Sequence, residues 1–237
     1  MKTSLIIFSF LFFLLIAEAK RPPNMAALDS KIFIQKTEVS NAHYQEYLEN
    51  IEEKYGLDSE EYKTAFPDTG VWKHVNKPYV SIYFQEEAYS NYPVVGISYE
   101  QAKDFCEWLG QENDPDGQYH FRLPTKKEWE KLAGIPLVKI KRRHRDRRKF
   151  NFNEPHMALD EQNDDYYHLT APVDAYWPNK IGVYHVFGNI AEMVQNKGIA
   201  KGGSWKQKKD ESMNMLDMLY TRPAPWLGFR CACEKKQ

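Results

Sequence analysis

The sequence predicts an α+β fold, an irregular single domain in which a few helices pack on a small sheet and regular secondary structure is scarce. Three observations predict it. Short β-branched and aromatic runs such as "IFIQ" and "YHF" are each followed by a capped stretch with apolar residues at helical spacing. The segments between these units are long, aromatic-rich and without clear period. No internal repeat and no linker-like composition divides the 237 residues, which are enough for one large domain.

At the N-terminus, Lys2 precedes the apolar run "LIIFSFLFFLLIA" (5–17), and "AEA" at 17–19 supplies a small-x-small cleavage pattern. Thirteen apolar residues fall short of the ~20 needed to cross a bilayer. Residues 1–19 are therefore read as a signal peptide, followed by an N-terminal segment over 20–31, a domain over 32–233 and a tail over 234–237. No cysteine stands at the cleavage point to carry a lipid. The expectation is an exported chain, periplasmic or secreted to the cell surface, without a transmembrane span once the leader is removed.

"IFIQ" from Ile32 reads as a strand and "TEVSN" as the turn after it, with Ser40 or Asn41 as N-cap. Tyr44, Tyr47, Leu48 and Ile51 then recur on one helical face. Residues 57–92 read as a long packed loop. "PVVGIS" reads as a short buried strand; Ser98 caps the next helix, with Gln101 completing a capping box. Ala102, Phe105, Cys106 and Leu109 form the inward stripe of that helix. "YHFRLPTKKEWEKLAG" repeats the unit: a strand, a Pro-Thr turn, and a helix from Lys126 to Gly134 capped by Thr125 and Glu128. Short strands near 200–205 and 227–232 would close the domain.

Formal net charge is −1, so bulk electrostatics name no polyanionic partner. The charge is uneven, however. "KIKRRHRDRRK" holds eight basic residues in eleven: Lys139, Lys141, Arg142, Arg143, Arg145, Arg147, Arg148 and Lys149. Without interleaved aromatics, and in an exported chain, this run does not read as a nucleic-acid site. It reads as a solvated loop or as a docking surface for an envelope protein, a lipid phosphate or an acidic glycan. The seven histidines show no metal-ligand spacing. Three cysteines, in an oxidising compartment, suggest one disulfide with one thiol left over. Cys231 and Cys233 lie two apart, which in an extended segment would put both side chains on one face.

Six stretches in order, "TEVSN", "YPVVGISYEQAKDFCEW", "RLPTKKEWEKLAG", "APVDAYWPNKIGVYHVFGNIAEMV", "KGGSW" and "GFRCA", resemble the formylglycine-generating enzyme, or sulfatase-modifying factor, family from about Ile32 to Ala232. The resemblance implies an irregular α+β fold of C-type-lectin kind. The segment "FPDTGVWKHVNKPYVSIYFQEEAYSNYPVVG" is similar to the branch of that family found in gliding-motility and type IX secretion proteins of Bacteroidetes.

Enzymes of the family oxidise a cysteine of a client sulfatase with O2 and a copper ion held by two thiolates, ligands suited to Cu(I). Counted from the Gly-Gly-Ser turn, those two positions fall here on Gln207 and Ser212, while the serine of the turn is kept as Ser204. Ala191 stands where the family has a tryptophan. The resemblance thus implies a retained scaffold without its copper pair, and no copper is expected. It also implies a Cys106–Cys231 disulfide, and structural calcium. The first calcium site would fall on Asn151 and Asp165 with the carbonyls of Phe152 and Tyr167. The second would fall on Glu192 with the carbonyls of Gly188 and Ile190, His185 standing in place of a further oxygen ligand. The expected function is a non-catalytic binding or scaffold component of the cell envelope, linked to gliding motility or type IX secretion. A divergent oxidase and a lectin-like glycan binder are the alternatives.

Overall fold

The structure is a computed structural model, described here for residues 22–136, 169–208 and 216–236. Two small sheets form its frame. The first joins β1 (Met25–Ala27), β2 (Ile32–Gln35), β8 (Ala232–Lys235) and β3 (Tyr119–Arg122) in the spatial order β1-β2-β8-β3, antiparallel throughout. In its register Phe33 lies opposite Cys233, which lies opposite Phe121. The second joins β6 (Met218–Leu219), β5 (Ile199–Lys201), β4 (Ala191–Met193) and β7 (Leu227–Gly228), with β4 and β7 parallel. Because β1 pairs with β2, the packed unit begins inside the segment read as 20–31.

Each long helix forms where its cap and stripe place it. α1 (Asn41–Tyr55) starts at Ser40, whose hydroxyl accepts from the His43 amide; Tyr44, Tyr47, Leu48 and Ile51 are buried on one face. α4 (Tyr99–Asn113) opens with the Ser98/Gln101 capping box and buries Ala102, Phe105 and Cys106, leaving Leu109 partly exposed at the edge. α5 (Lys126–Ala133) opens with the Thr125/Glu128 box. A reciprocal pair of this kind satisfies amides that no helical carbonyl can reach, and losing a cap side chain costs about 1 kcal/mol. Tyr44 stacks on Phe105 at 5.6 Å, and Phe105 meets Phe229 edge-on at 5.4 Å, so the two long helices share one aromatic core with the chain entering β8.

Three expectations are corrected. Residues 57–92 are not one loop. α2 (Glu60–Ala65), capped by Ser59, and α3 (Tyr79–Ile82) lie within them, with two 3-10 turns, Thr69–Trp72 and Glu87–Tyr89. These elements are too short for a 3.6-residue period to register. What holds the region is an aromatic cluster, in which Trp72 lies 4.7 Å from Tyr83 and 5.0 Å from Tyr79. "PVVGIS" is buried but forms only a single bridge, Ser40 to Pro93. Gly96, at φ 78°, turns the chain away, and a Cβ there would collide with the Asp68 carbonyl. Finally, 227–232 is not one strand. β7 belongs to the second sheet and β8 to the first, and Phe229, Arg230 and Cys231 cross between them, fully buried.

Candidate functional site

The crossing carries a buried charge network. Arg230 is fully buried, and all of its nitrogens are used. Nε donates to Glu192 Oε2 at 2.8 Å, and Nη2 to Glu192 Oε1 at 2.6 Å and to the Tyr184 carbonyl at 2.8 Å. Nη1 donates to the carbonyls of Gln35 and Lys36 at 3.1 and 3.3 Å. Five donor contacts match the five N–H groups of a guanidinium. Glu192, on β4, is also fully buried and accepts a third hydrogen bond from Trp129 Nε1 of α5 at 2.9 Å. The fork-to-fork geometry is the strong form of an ion pair.

A second carboxylate, Glu38 of the "TEVSN" turn, lies behind it. Asn189 Nδ2 donates to both of its oxygens at 3.1 Å. Burial pushes the Glu38 carboxyl well above the usual range, against the pull of Arg230. Asn189 also bonds Ala171 through both ends of its amide, as acceptor at 2.8 Å and donor at 3.1 Å. Close by, His185 faces the Pro172 carbonyl at 3.1 Å; burial first, then the charge of Arg230, lowers its pKa to about 3 and keeps it neutral. His185 and Asn189 both hold positive φ, 48° and 61°.

The Gly-Gly-Ser turn is fastened to this network. The Trp205 amide donates to the Asn189 carbonyl at 2.8 Å, and the Gly188 amide to the Gly202 carbonyl at 2.9 Å. Gly202 sits at φ 95°, where a Cβ would lie 2.9 Å from the Val186 carbonyl and 3.1 Å from the Trp129 ring, so only glycine fits. The Trp205 ring packs face to face with Trp72 at 6.5 Å and donates to the Pro225 carbonyl at 3.1 Å. Before the turn, Lys201 is fully buried, its Nζ 3.2 Å from Glu130 and 3.1 Å from Asp217. Within the turn, the buried Ser204 hydroxyl donates to Gln207 Oε1 at 2.5 Å and accepts from the Lys206 amide at 3.2 Å.

The described residues fit neither copper at the turn nor calcium at the second implied position as they stand. Soft Cu(I) asks for thiolates, and the turn offers the Gln207 amide, whose oxygen already accepts from Ser204. Calcium at the second position would need the Glu192 carboxylate, which is committed to Arg230 and Trp129, and would meet His185 in place of an oxygen. Among the described residues no group of three or more His, Cys, Asp or Glu could hold a metal ion. Ser212, the first calcium set (Asn151, Phe152, Asp165, Tyr167), the leader and the basic run 139–149 lie outside the described residues.

Cys106 and Cys231 are brought together, buried, with their sulfurs 2.7 Å apart. Cys233 packs in a different cluster, with Met25, Phe33, Tyr119 and Phe121, and burial raises its thiol to about 12. The Cys-x-Cys pair is therefore divided between two packing clusters, because β8 begins only at Ala232.

Arg230, Glu38, Asn189 and Lys201 are the residues that sequence reasoning passed over. The available signal was a charged or amide side chain inside an otherwise apolar motif, which must be buried with a partner.

A family model, the sulfatase-modifying factor enzyme 1-like domain, matches residues 10–235. The mouse formylglycine-generating enzyme is 26% identical over 92% of this chain and 69% of its own length. A bovine relative named an inactive Cα-formylglycine-generating enzyme 2 is 29% identical over 60% of this chain and half of its own. Among solved structures, CarF superposes with a TM-score of 0.54 at 18% identity over 87% of each chain. The Treponema denticola variable protein 1 does so at 0.53 and 17%, over 90% of this chain and 91% of that one. At these identities the structures speak for the fold alone. With the family model spanning nearly the whole sequence, the chain belongs to the sulfatase-modifying factor family of formylglycine-generating enzymes.

Proposed function

We infer that this protein is a non-catalytic, exported member of the family that serves as a binding or scaffold component of the cell envelope. The observation that carries the reading is Gln207. It stands where the resemblance puts a copper-binding cysteine, and its amide oxygen accepts a hydrogen bond from the Ser204 hydroxyl. A neutral amide neither holds Cu(I) nor supplies a thiolate at which O2 chemistry could begin. Relatives named as inactive enzymes support the reading, since the family contains chains kept without the activity. The link to gliding motility or type IX secretion rests on the resemblance of residues 66–96 alone. Calcium at the first site, 151–167, belongs to the same reading. The basic run at 139–149 is its docking surface for an envelope partner.

The test has two arms. Purified protein with Cu(I), O2 and a cysteine-containing client peptide is followed by an oxygen electrode and by peptide mass. No copper-dependent oxygen uptake and an unchanged peptide are expected; copper binding with conversion of the cysteine to an aldehyde would overturn the reading. Cross-linking in intact cells then asks for one or two recurrent envelope partners, attached through 139–149.

A further inference from the structure

A cleft of about 480 Å³ lies where the N-terminal strand meets α1 and α4. It shares no residue with the Gly-Gly-Ser turn, and only Gln35 links it to the Arg230 network, whose guanidinium takes the Gln35 carbonyl. Its size is that of a site for a small ligand or a few residues of peptide. Its charge is one-sided. Glu46, Glu49 and Glu53 follow one face of α1 at i, i+3 and i+7, Glu112 faces them from α4, and among the described residues no lysine or arginine lines the cleft. All four carboxylates are exposed, and none has an ion-pair partner among the described residues. Like charges at such helical spacing repel, so the fold holds a negative face at a cost that no described residue of the cleft offsets.

Two further observations concern the wall. Trp108, one turn before Glu112, lines the cleft with an aromatic surface, while Leu109, Met25 and Phe121 add apolar area. The indole Nε1 of Trp108 and the imidazole Nδ1 of His43, both in lining residues, are buried without a hydrogen-bond partner. Unsatisfied buried polar atoms are uncommon and call for an explanation. An aromatic plane beside several carboxylates suits a guanidinium better than an ammonium. The planar group stacks on the ring while its N–H fork meets the carboxylates.

We propose that this cleft is a binding site for a short, extended, arginine-bearing peptide segment of a partner protein. The arginine side chain stacks on Trp108 and its positive charge is met by Glu46, Glu49, Glu53 and Glu112. The site stands apart from the reading of the turn, since an active oxidase and an inert module would carry the same cleft.

The experiment measures binding of a labelled (Gly-Arg)4 peptide to the folded chain by fluorescence anisotropy, at low and at 150 mM salt, beside (Gly-Lys)4 and (Gly-Ser)4. Saturable binding in the order Arg over Lys, with nothing for the serine peptide, is expected. The E46Q/E49Q/E53Q/E112Q variant changes exposed residues only, so it folds; it is expected to lose tenfold or more in affinity. Trp108→Phe keeps an aromatic ring beside Tyr47 and Phe105 and leaves the charge unchanged but narrows the stacking plane, and is expected to lessen the preference for arginine over lysine. No binding above the serine control at low salt overturns the proposal. So does unchanged affinity in the four-glutamine variant, which would place the peptide elsewhere. A Trp108→Phe variant with an unaltered Arg/Lys ratio would reduce the effect to bulk charge attraction and overturn it as well.

Discussion

Replacing Arg230 with methionine tests whether the buried network holds the two sheets together. The change keeps an unbranched, apolar stem and removes the guanidinium with its charge. It leaves the Glu192 carboxylate fully buried with only Trp129 Nε1 as donor, and deprives the carbonyls of Gln35, Lys36 and Tyr184 of their partner. Breaking a buried pair on one side costs about 3–5 kcal/mol, because a charge is stranded away from water. A domain of this length loses roughly 2–4 °C of Tm per kcal/mol, so a fall of about 6–20 °C is expected. Urea denaturation followed by circular dichroism gives the free energy, and calorimetry gives the Tm. The variant R230M/E192L removes the stranded charge and is expected to recover about half of the loss, the rest reflecting unpaired donors and acceptors at roughly 1–3 kcal/mol. A loss under about 1 kcal/mol for Arg230→Met would refute the argument. So would a double variant as unstable as the sum of its parts.

Three more outcomes follow from the same geometry. His185, with its pKa lowered to about 3 by burial and by Arg230, takes up a proton on unfolding anywhere between that value and the ordinary 6.5. Stability is therefore present above about pH 6.5 and drains away as the pH falls toward 3; His185→Asn, which tolerates the positive φ, should flatten that slope in Tm measured from pH 7 to 4.5. Cys106→Ser should destabilise strongly, by about 4–5 kcal/mol if the sulfurs are joined across the 125-residue separation, and mass spectrometry under denaturing, alkylating conditions should show one protected pair. An unchanged Tm together with three alkylated thiols would remove the disulfide. Introducing Q207C and S212C together should cost no more than about 1 kcal/mol in urea titrations, as the turn loses only the Ser204–Gln207 hydrogen bond within the described residues; failure to fold would contradict a scaffold independent of its reactive pair.

The sequence made the long helices legible because their information is local. Ser98 with Gln101, and Thr125 with Glu128, are caps written in four residues, and the stripes Tyr44–Ile51 and Ala102–Cys106 repeat at helical period. It hid the elements whose cause is distant. α2 and α3 are a turn or so long; α2 is held by Ala65 and Tyr62 in the core it shares with α1, and α3 by Trp72, Tyr79 and Tyr83 packing on one another. The run 227–232 looked like one strand because its residues are apolar at nearly every position. Whether such a run pairs in one sheet or crosses between two depends on partners elsewhere in the chain, here β4 and β2. The Gly-Gly-Ser turn was visible through its glycines, and Cys106 and Cys231 as a meeting pair through the resemblance. The Glu38–Asn189–Arg230–Glu192 network was not visible, since it joins residues up to 195 positions apart through the Gln35 carbonyl.

That network also explains how the turn keeps its shape whatever side chain stands at position 207. The groups that hold the turn are main-chain ones: the Asn189 carbonyl bonds the Trp205 amide, the Gly202 carbonyl bonds the Gly188 amide, and the glycines satisfy positive φ without a side chain. The side chains that matter to it, Trp205 and Lys201, are held by Trp72 and by the partly exposed carboxylates of Glu130 and Asp217. Gln207 takes no part in this fastening beyond its bonds to Ser204, and it is only half-buried. A substitution there touches neither the glycine conformations nor the buried pair, so selection on folding places little constraint on it. The residues that fasten the turn and the residue at position 207 are thus separable. The part that stability requires is Arg230 with Glu192, and Gln207 lies outside it.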